Sequence, residues 1–160
     1  MFLRRTWAEI DTNALISNFD LLKAKSEKIM AVVKADAYGH NVGIVAPLLD
    51  KAGAECFAVS NIEEAVELRK LGIQKTVLVL GYTPPEAFAL LCEYDISQTM
   101  YDYSTAVLLS ETAKKHHKRI KIHIKLDTGM SRLGFNCRSG EPFDLEDILA
   151  GMIFPIVIFI

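Results

Sequence analysis

What this chain lacks narrows its reading first. Among 160 residues there are only three cysteines, Cys56, Cys92 and Cys137, an odd number, far apart and without a C-x-x-C pair. Neither a disulfide framework nor a zinc site is expected, and no metal is assigned. No sign of charge dominates: 18 Lys plus Arg stand against 20 Asp plus Glu, a net charge of -2, which gives no electrostatic footprint for a nucleic-acid backbone. Gly (9) and Pro (5) are sparse, so disordered, collagen-like and low-complexity classes drop out. The long uncharged stretch Ile148 to Ile160 holds thirteen residues, short of the roughly 20 that a membrane-spanning helix needs. Arg4 and Arg5 lead into Glu9 and Asp11 rather than into an apolar segment, so no export signal is read and a cytoplasmic protein is expected.

Several catalytic signatures are missing as well. There is no H-E-x-x-H and no G-x-S-x-G. Gly129 to Gly134 has the glycine spacing of a phosphate loop, but Phe135 stands where Lys and Ser or Thr belong. The run Lys114 to Arg119 reads as a solvated helix end, where cations complement the macrodipole. Glu63, Glu64 and Glu67 read as a solvated helix face.

What is present is a repeat of architecture. Short apolar runs at 29–33, 56–59, 76–80, 96–100 and 120–126 start roughly 20 to 28 residues apart, the length of a βα unit. They are apolar on both alternations, as strands covered on both faces are, which predicts an α/β fold with a parallel sheet. Helix starts are punctuated: Asp11 before a helix burying Leu15, Phe19 and Leu22; Ser60-Asn61-Ile62-Glu63 as a capping box before a helix that buries Ala65, Leu68 and Leu71 and stops at Gly72. Thr83-Pro84-Pro85-Glu86 repeats the device with proline in the first turn, and Asp102 caps the segment Tyr103 to His116. Pro47 places the start of its helix near Val45 to Ala46. Thr6 to Ile10 reads as an extra extended run outside the main sheet.

Five such units without a nucleotide fingerprint begin either a doubly wound sheet or a (β/α)₈ barrel, and in both the chemistry sits at the C-terminal strand ends. A barrel takes about 250 residues, so this one does not close by itself. Two strand ends are rich in polar groups. The run 29–33 ends in Lys34, the residue type that forms Schiff bases when it emerges at a strand-end pocket, with Tyr38 and His40 in the loop beyond. His123, Lys125 and Asp127 alternate, so all three point to one side of a strand, the lumen side in a barrel.

Three stretches carry a resemblance: Trp7-Ala8-Glu9-Ile10-Asp11, Ala31-Val32-Val33-Lys34-Ala35-Asp36-Ala37-Tyr38-Gly39-His40, and Lys125-Leu126-Asp127-Thr128-Gly129-Met130-Ser131-Arg132-Leu133-Gly134-Phe135. In this order they resemble the N-terminal portion of bacterial alanine racemase, from about Arg5 to Phe135. The resemblance implies an incomplete parallel (β/α) barrel of about five to six of eight βα units, residues 1–160 forming one domain without the C-terminal β-domain. It implies a pyridoxal 5′-phosphate (PLP) dependent isomerase that interconverts L- and D-alanine, D-alanine being a peptidoglycan precursor. Lys34 is then the catalytic lysine and holds PLP, Tyr38 contacts the cofactor phosphate, Arg132 lies beside the cofactor phenolic oxygen and the substrate carboxylate, and Lys125 supports Arg132.

The second base of the family is a tyrosine from the partner subunit's C-terminal domain, outside this sequence, so the family homodimer is expected to be compromised. After Phe135 the likeness fades, and the apolar end Gly151 to Ile160 stands in place of the family's next strand, as a truncated or frame-shifted racemase would have it. Such a tail on an unclosed sheet is expected to template aggregation. A PLP-binding barrel protein without racemase activity, and an inactive fragment, are the alternatives.

Overall fold

The computed structural model describes residues 6–137 and the strand residues 156–159. Five strands, β1 Met30–Val32, β2 Cys56–Val59, β3 Thr76–Val79, β4 Ser97–Met100 and β5 Ile120–Ile124, lie side by side in chain order. The short β6 Leu126–Asp127 and β7 Phe135–Asn136 pair with each other, and β8 Ile156–Phe159 joins the main sheet beside β5. Every neighbouring pair in the six-stranded sheet is parallel. Helices α1 Thr12–Lys23, α2 Lys34–Gly39, α3 Val42–Ala52, α4 Ile62–Lys70, α5 Phe88–Glu93 and α6 Tyr103–Lys115 fill the intervals. This is an open parallel β/α sheet, as the run spacing predicts, and of the two architectures that spacing left open the partial barrel is the one the resemblance implies. None of its described helices is long and apolar enough to cross a membrane.

Alternation along the strands separates two faces. Ala31, Phe57, Val59, Val77, Val79, Met100 and Ile122 point to the helix layer and join Ile62, Ala65, Leu68, Leu91, Ala106 and Leu109 in one core. Residues of the other parity form the opposite face: Met30 and Val32, 37% and 42% exposed, then Ala58, Leu78, Ser97 and Thr99, all buried. Near β1 that second face is therefore open, where sequence periodicity predicts cover on both sides.

Local signals hold where the capping chemistry is unambiguous. Asp11 accepts from the amides of Asn13 and Ala14 to start α1, and Asp102 accepts from Thr105 to start α6. Elsewhere the structure corrects the sequence reading. Asn61, not Ser60, caps α4 by accepting from the Glu64 amide at 2.9 Å, and the carboxylate that reaches back belongs to Glu64 rather than Glu63. Helix α3 starts at Val42, ahead of Pro47, because the Val42 amide finds Asp36 Oδ1 at 2.6 Å and the Asn41 carbonyl takes the Val45 amide. Proline in the second turn removes a single helical bond, from residue 47 to the carbonyl of residue 43.

Thr83 is no cap: its hydroxyl donates to the buried Gln98 Oε1 at 2.6 Å, while Pro85 opens a 3₁₀ turn, Pro85–Ala87. Leu22 and Leu71 are exposed, so the apolar stripes of α1 and α4 are narrower than their spacing suggests. Residues 6–11 form no strand; Trp7 is 74% exposed and its indole donates to Glu9. The apolar end contributes β8 at 156–159, whereas 151–155 and 160 lie outside the described residues.

At the N-terminal ends of the strands Arg69 ties the layers together. Its guanidinium donates to the carbonyls of Tyr94, Ile73, Lys75 and Asp95 at 2.7–2.8 Å, joining the turns that lead into β3 and β4.

Candidate functional site

At the opposite, C-terminal ends of the strands a cavity of about 290 Å³ is lined by Lys34, Ser60, Leu80, Gly81, Lys125, Arg132 and Leu133. Lys34 lies just beyond β1, while Ser60, Leu80 and Lys125 each directly follow their strand, and the Lys125 amide still donates to the Met100 carbonyl at 2.8 Å. Side chains there leave the sheet at the rim, where parallel α/β folds hold their ligands. Three of the four residues to which the resemblance gives a role, Lys34, Lys125 and Arg132, thus meet around one cavity. Among the described residues no acidic side chain lines it, and two lysines with an arginine suit an anionic ligand, a phosphate or a carboxylate. A larger cavity, about 370 Å³, opens beside Arg69, Tyr94 and Asp95 at the other end of the strands. There the guanidinium is committed to four carbonyls, and the position fits a structural rim rather than a reactive centre.

The segment after Lys34 winds the wrong way. Ala35, Asp36, Ala37 and Tyr38 have φ of 51° to 55° with ψ of 38° to 52°, four successive left-handed residues. L-residues resist this conformation by roughly 1–2 kcal/mol each, so surrounding contacts must impose it. The Ala37 amide closes the turn on the Val33 carbonyl at 3.0 Å, Asp36 Oδ1 accepts from Val42, and Ala37 is buried. Glu64 supplies the remaining tie: one carboxylate oxygen accepts from the Ala35 amide at 2.8 Å and the other from the Ser60 amide at 2.7 Å. The solvated-face reading of Glu64 is corrected by these two bonds.

Tyr38 leaves this turn toward solvent, 59% exposed, with its ring centroid 6.0 Å from Lys34 Nζ. It stands beside the cavity and not in its wall. His40 turns its Nδ1 to the carbonyls of Ala37 and Tyr38 at 3.1 Å and so belongs to the turn itself.

Arg132 arrives on a loop that folds back on its own strand. Asp127 Oδ1 accepts from the amides of Gly129 and Ser131 at 3.0 and 2.9 Å, and the Phe135 amide closes on the Lys125 carbonyl at 2.8 Å. Gly134, at φ 138°, is required there because a Cβ would lie 2.8 Å from the Asp127 nitrogen. Of His123, Lys125 and Asp127, read as sharing one side of a strand, Lys125 lines the cavity and the other two are absent from its wall. Asp127 is a loop organiser beyond the end of β5 at Ile124. His123 is half-buried, and burial pushes its imidazole pKa below the ordinary value.

Sequence reasoning missed Glu64, Ser60 and Gly81. Ser60 announced itself only as a capping residue, Glu64 only as part of a solvated helix face, and Gly81 as a residue after a strand.

Residues 10–148 match the model of the alanine racemase N-terminal domain. Alanine racemase 1 of Clostridium acetobutylicum is 47% identical over 135 residues, 83% of this chain and 35% of that protein. The chain therefore spans about a third of the length of the curated relatives it matches. Among solved structures, alanine racemase of Clostridium difficile 630 superposes with a TM-score of 0.89 at 36% identity, covering 99% of this chain and 42% of that one. A histidine racemase from Leuconostoc mesenteroides follows the same path with a TM-score of 0.77 at 30% identity, over 88% of this chain and 37% of its own. With the strand order and the family match in agreement, the chain belongs to the alanine racemase N-terminal domain family.

Proposed function

We propose that this chain supplies the lysine side of a PLP-dependent alanine racemase centre, with Lys34 holding PLP and acting as a base on one face of the substrate. The observation that carries this reading is the convergence of Lys34, Lys125 and Arg132 on one rim cavity. The donor set fits the cofactor: a lysine amine for its aldehyde, and cations for its anionic groups. When bound, PLP delocalises the negative charge that a substrate α-carbon acquires on losing its proton.

The residues then divide the work. Lys34 Nζ would hold the cofactor through its aldehyde and would serve as the base that takes or returns the α-proton. Arg132 pairs with the substrate carboxylate and fixes the α-carbon above the lysine. Lys125, on the same cavity wall, supports Arg132, and the Tyr38 hydroxyl serves the cofactor phosphate. Alanine is the proposed substrate, supplying D-alanine for peptidoglycan. The histidine racemase of similar fold is named for another amino acid, so side-chain choice rests on residues that shape the substrate pocket and not on the barrel.

The test is borohydride reduction of the purified chain with PLP, followed by peptide mass mapping. A reduced adduct on Lys34, lost in Lys34→Ala, is expected; label scattered over surface lysines refutes the PLP site. Exchange of the alanine α-hydrogen in heavy water then separates a racemase from a PLP-binding protein, because binding alone leaves that hydrogen in place.

A further inference from the structure

We propose that Glu64 is a positioning residue for Lys34, holding through one carboxylate the peptide that aims the lysine and the wall it faces. The inference rests on the reading of Lys34 given above.

The carboxylate is not needed to cap α4, since Asn61 already accepts from the Glu64 amide. Both of its oxygens leave their own helix. One reaches 29 residues back along the chain to the amide of Ala35, and the other takes the amide of Ser60. The Ala35 amide belongs to the peptide that directly follows Lys34, and it stands where the strand gives way to the left-handed turn. Beyond Val33, whose amide bonds Ala58, the β1 ladder gives no further partner. Fixing that amide fixes ψ of Lys34, and with it the direction in which its side chain leaves the backbone.

Ser60 is a wall residue of the same cavity, and Gly81, another, packs on the Ser60 carbonyl. One acidic side chain thus ties the exits of β1 and β2 together and supports that of β3. A charge-assisted bond to each amide is stronger than a neutral one. Glutamine keeps the shape but offers one acceptor and turns an NH₂ toward the second amide.

The experiment compares wild type, Glu64→Gln and, as a control, Glu63→Gln at the exposed neighbouring position. Trapping with PLP and borohydride at limiting PLP, read as the share of label on Lys34 against all other lysines, is combined with thermal melts. Glu64→Gln is expected to lower the Lys34 share at least tenfold with a melt within about 4 °C of wild type, and Glu63→Gln to change neither. Equal labelling of wild type and Glu64→Gln on Lys34 overturns the proposal and leaves the PLP reading standing; absence of Lys34 label in wild type overturns both.

Labelling that falls only in step with the melt reduces Glu64 to a general fold contact and overturns the proposal too. Amide hydrogen exchange in wild type gives a readout that needs neither variant nor cofactor. The Ala35 amide, in an exposed residue, is expected to exchange at least a hundredfold slower than an unstructured one, and exchange at the unstructured rate refutes the tie.

Discussion

The backbone at Gly81 passes so close to Ser60 that a Cβ on residue 81 would lie 2.5 Å from the Ser60 carbonyl oxygen. Contact of backbone with backbone leaves nothing flexible to give way, so Gly81→Ala must push the β2 and β3 exits apart. Overpacking of this kind costs about 1–3 kcal/mol. A urea midpoint lowered accordingly is expected, together with weaker trapping of PLP on Lys34; an unchanged midpoint and unchanged trapping would show that the rim tolerates the methyl group.

Asp127 holds the Arg132 loop by accepting from two of its amides. Asp127→Ala removes both bonds and is expected to make 128–134 the first site of limited proteolysis, cut about thirty times faster than in wild type, since losing two hydrogen bonds of about 1 kcal/mol each opens the loop. Asp127→Asn keeps Oδ1 as an acceptor and is expected to stay near wild type. Equal cleavage of all three would sink the assignment.

Thr99 is 3% exposed, and its hydroxyl has no hydrogen-bond partner among the described residues. Valine matches its shape without a buried polar group and suits a strand. Thr99→Val is therefore expected to raise stability by about 1 kcal/mol in urea unfolding. A loss of that size would mean that the hydroxyl is bonded in solution.

Acid weakens the fold in two stages. Burial holds the His123 pKa below its ordinary value of 6.5, so the unfolded chain takes up that proton first. Stability from this residue is complete above about pH 7 and is lost as pH falls through the unfolded value to the lower, folded one. At Asp102 burial acts to raise the carboxyl pKa, but bonds from Ser104 and Thr105 outweigh it and hold the group below 3.8. Its contribution persists until pH drops through that region. Denaturant midpoints measured from pH 8 to pH 3 should show both stages, and His123→Gln should flatten the first; a first stage unaltered in that variant would remove His123 as its source.

Features encoded within a few residues were legible in the sequence. Asp11 and Asp102 start their helices as their side chains suggest, and Lys34 and Lys125 are rim residues because a strand end sets their place. Misreadings arose where a distant segment decides. Nothing in Ala35-Asp36-Ala37-Tyr38 announces left-handed winding; contacts from Val33, Val42 and Glu64 impose it. That Glu64 and not Glu63 reaches out of α4 depends on Ala35, whose amide takes part from 29 residues away across the β1–β2 pairing. The one-sided reading of His123, Lys125 and Asp127 assumed a strand longer than the one that forms.

The left-handed turn also limits which amino acids this stretch can accept, independently of burial. Branching at Cβ is penalised at 35, 36 and 38 although all three are exposed, whereas Asn, Asp and Gly fit there with least strain. A saturation library selected for folding should therefore be poor in Val, Ile and Thr at these surface positions. Handedness, in place of hydrophobicity, becomes the filter that shapes the sequence beside the lysine.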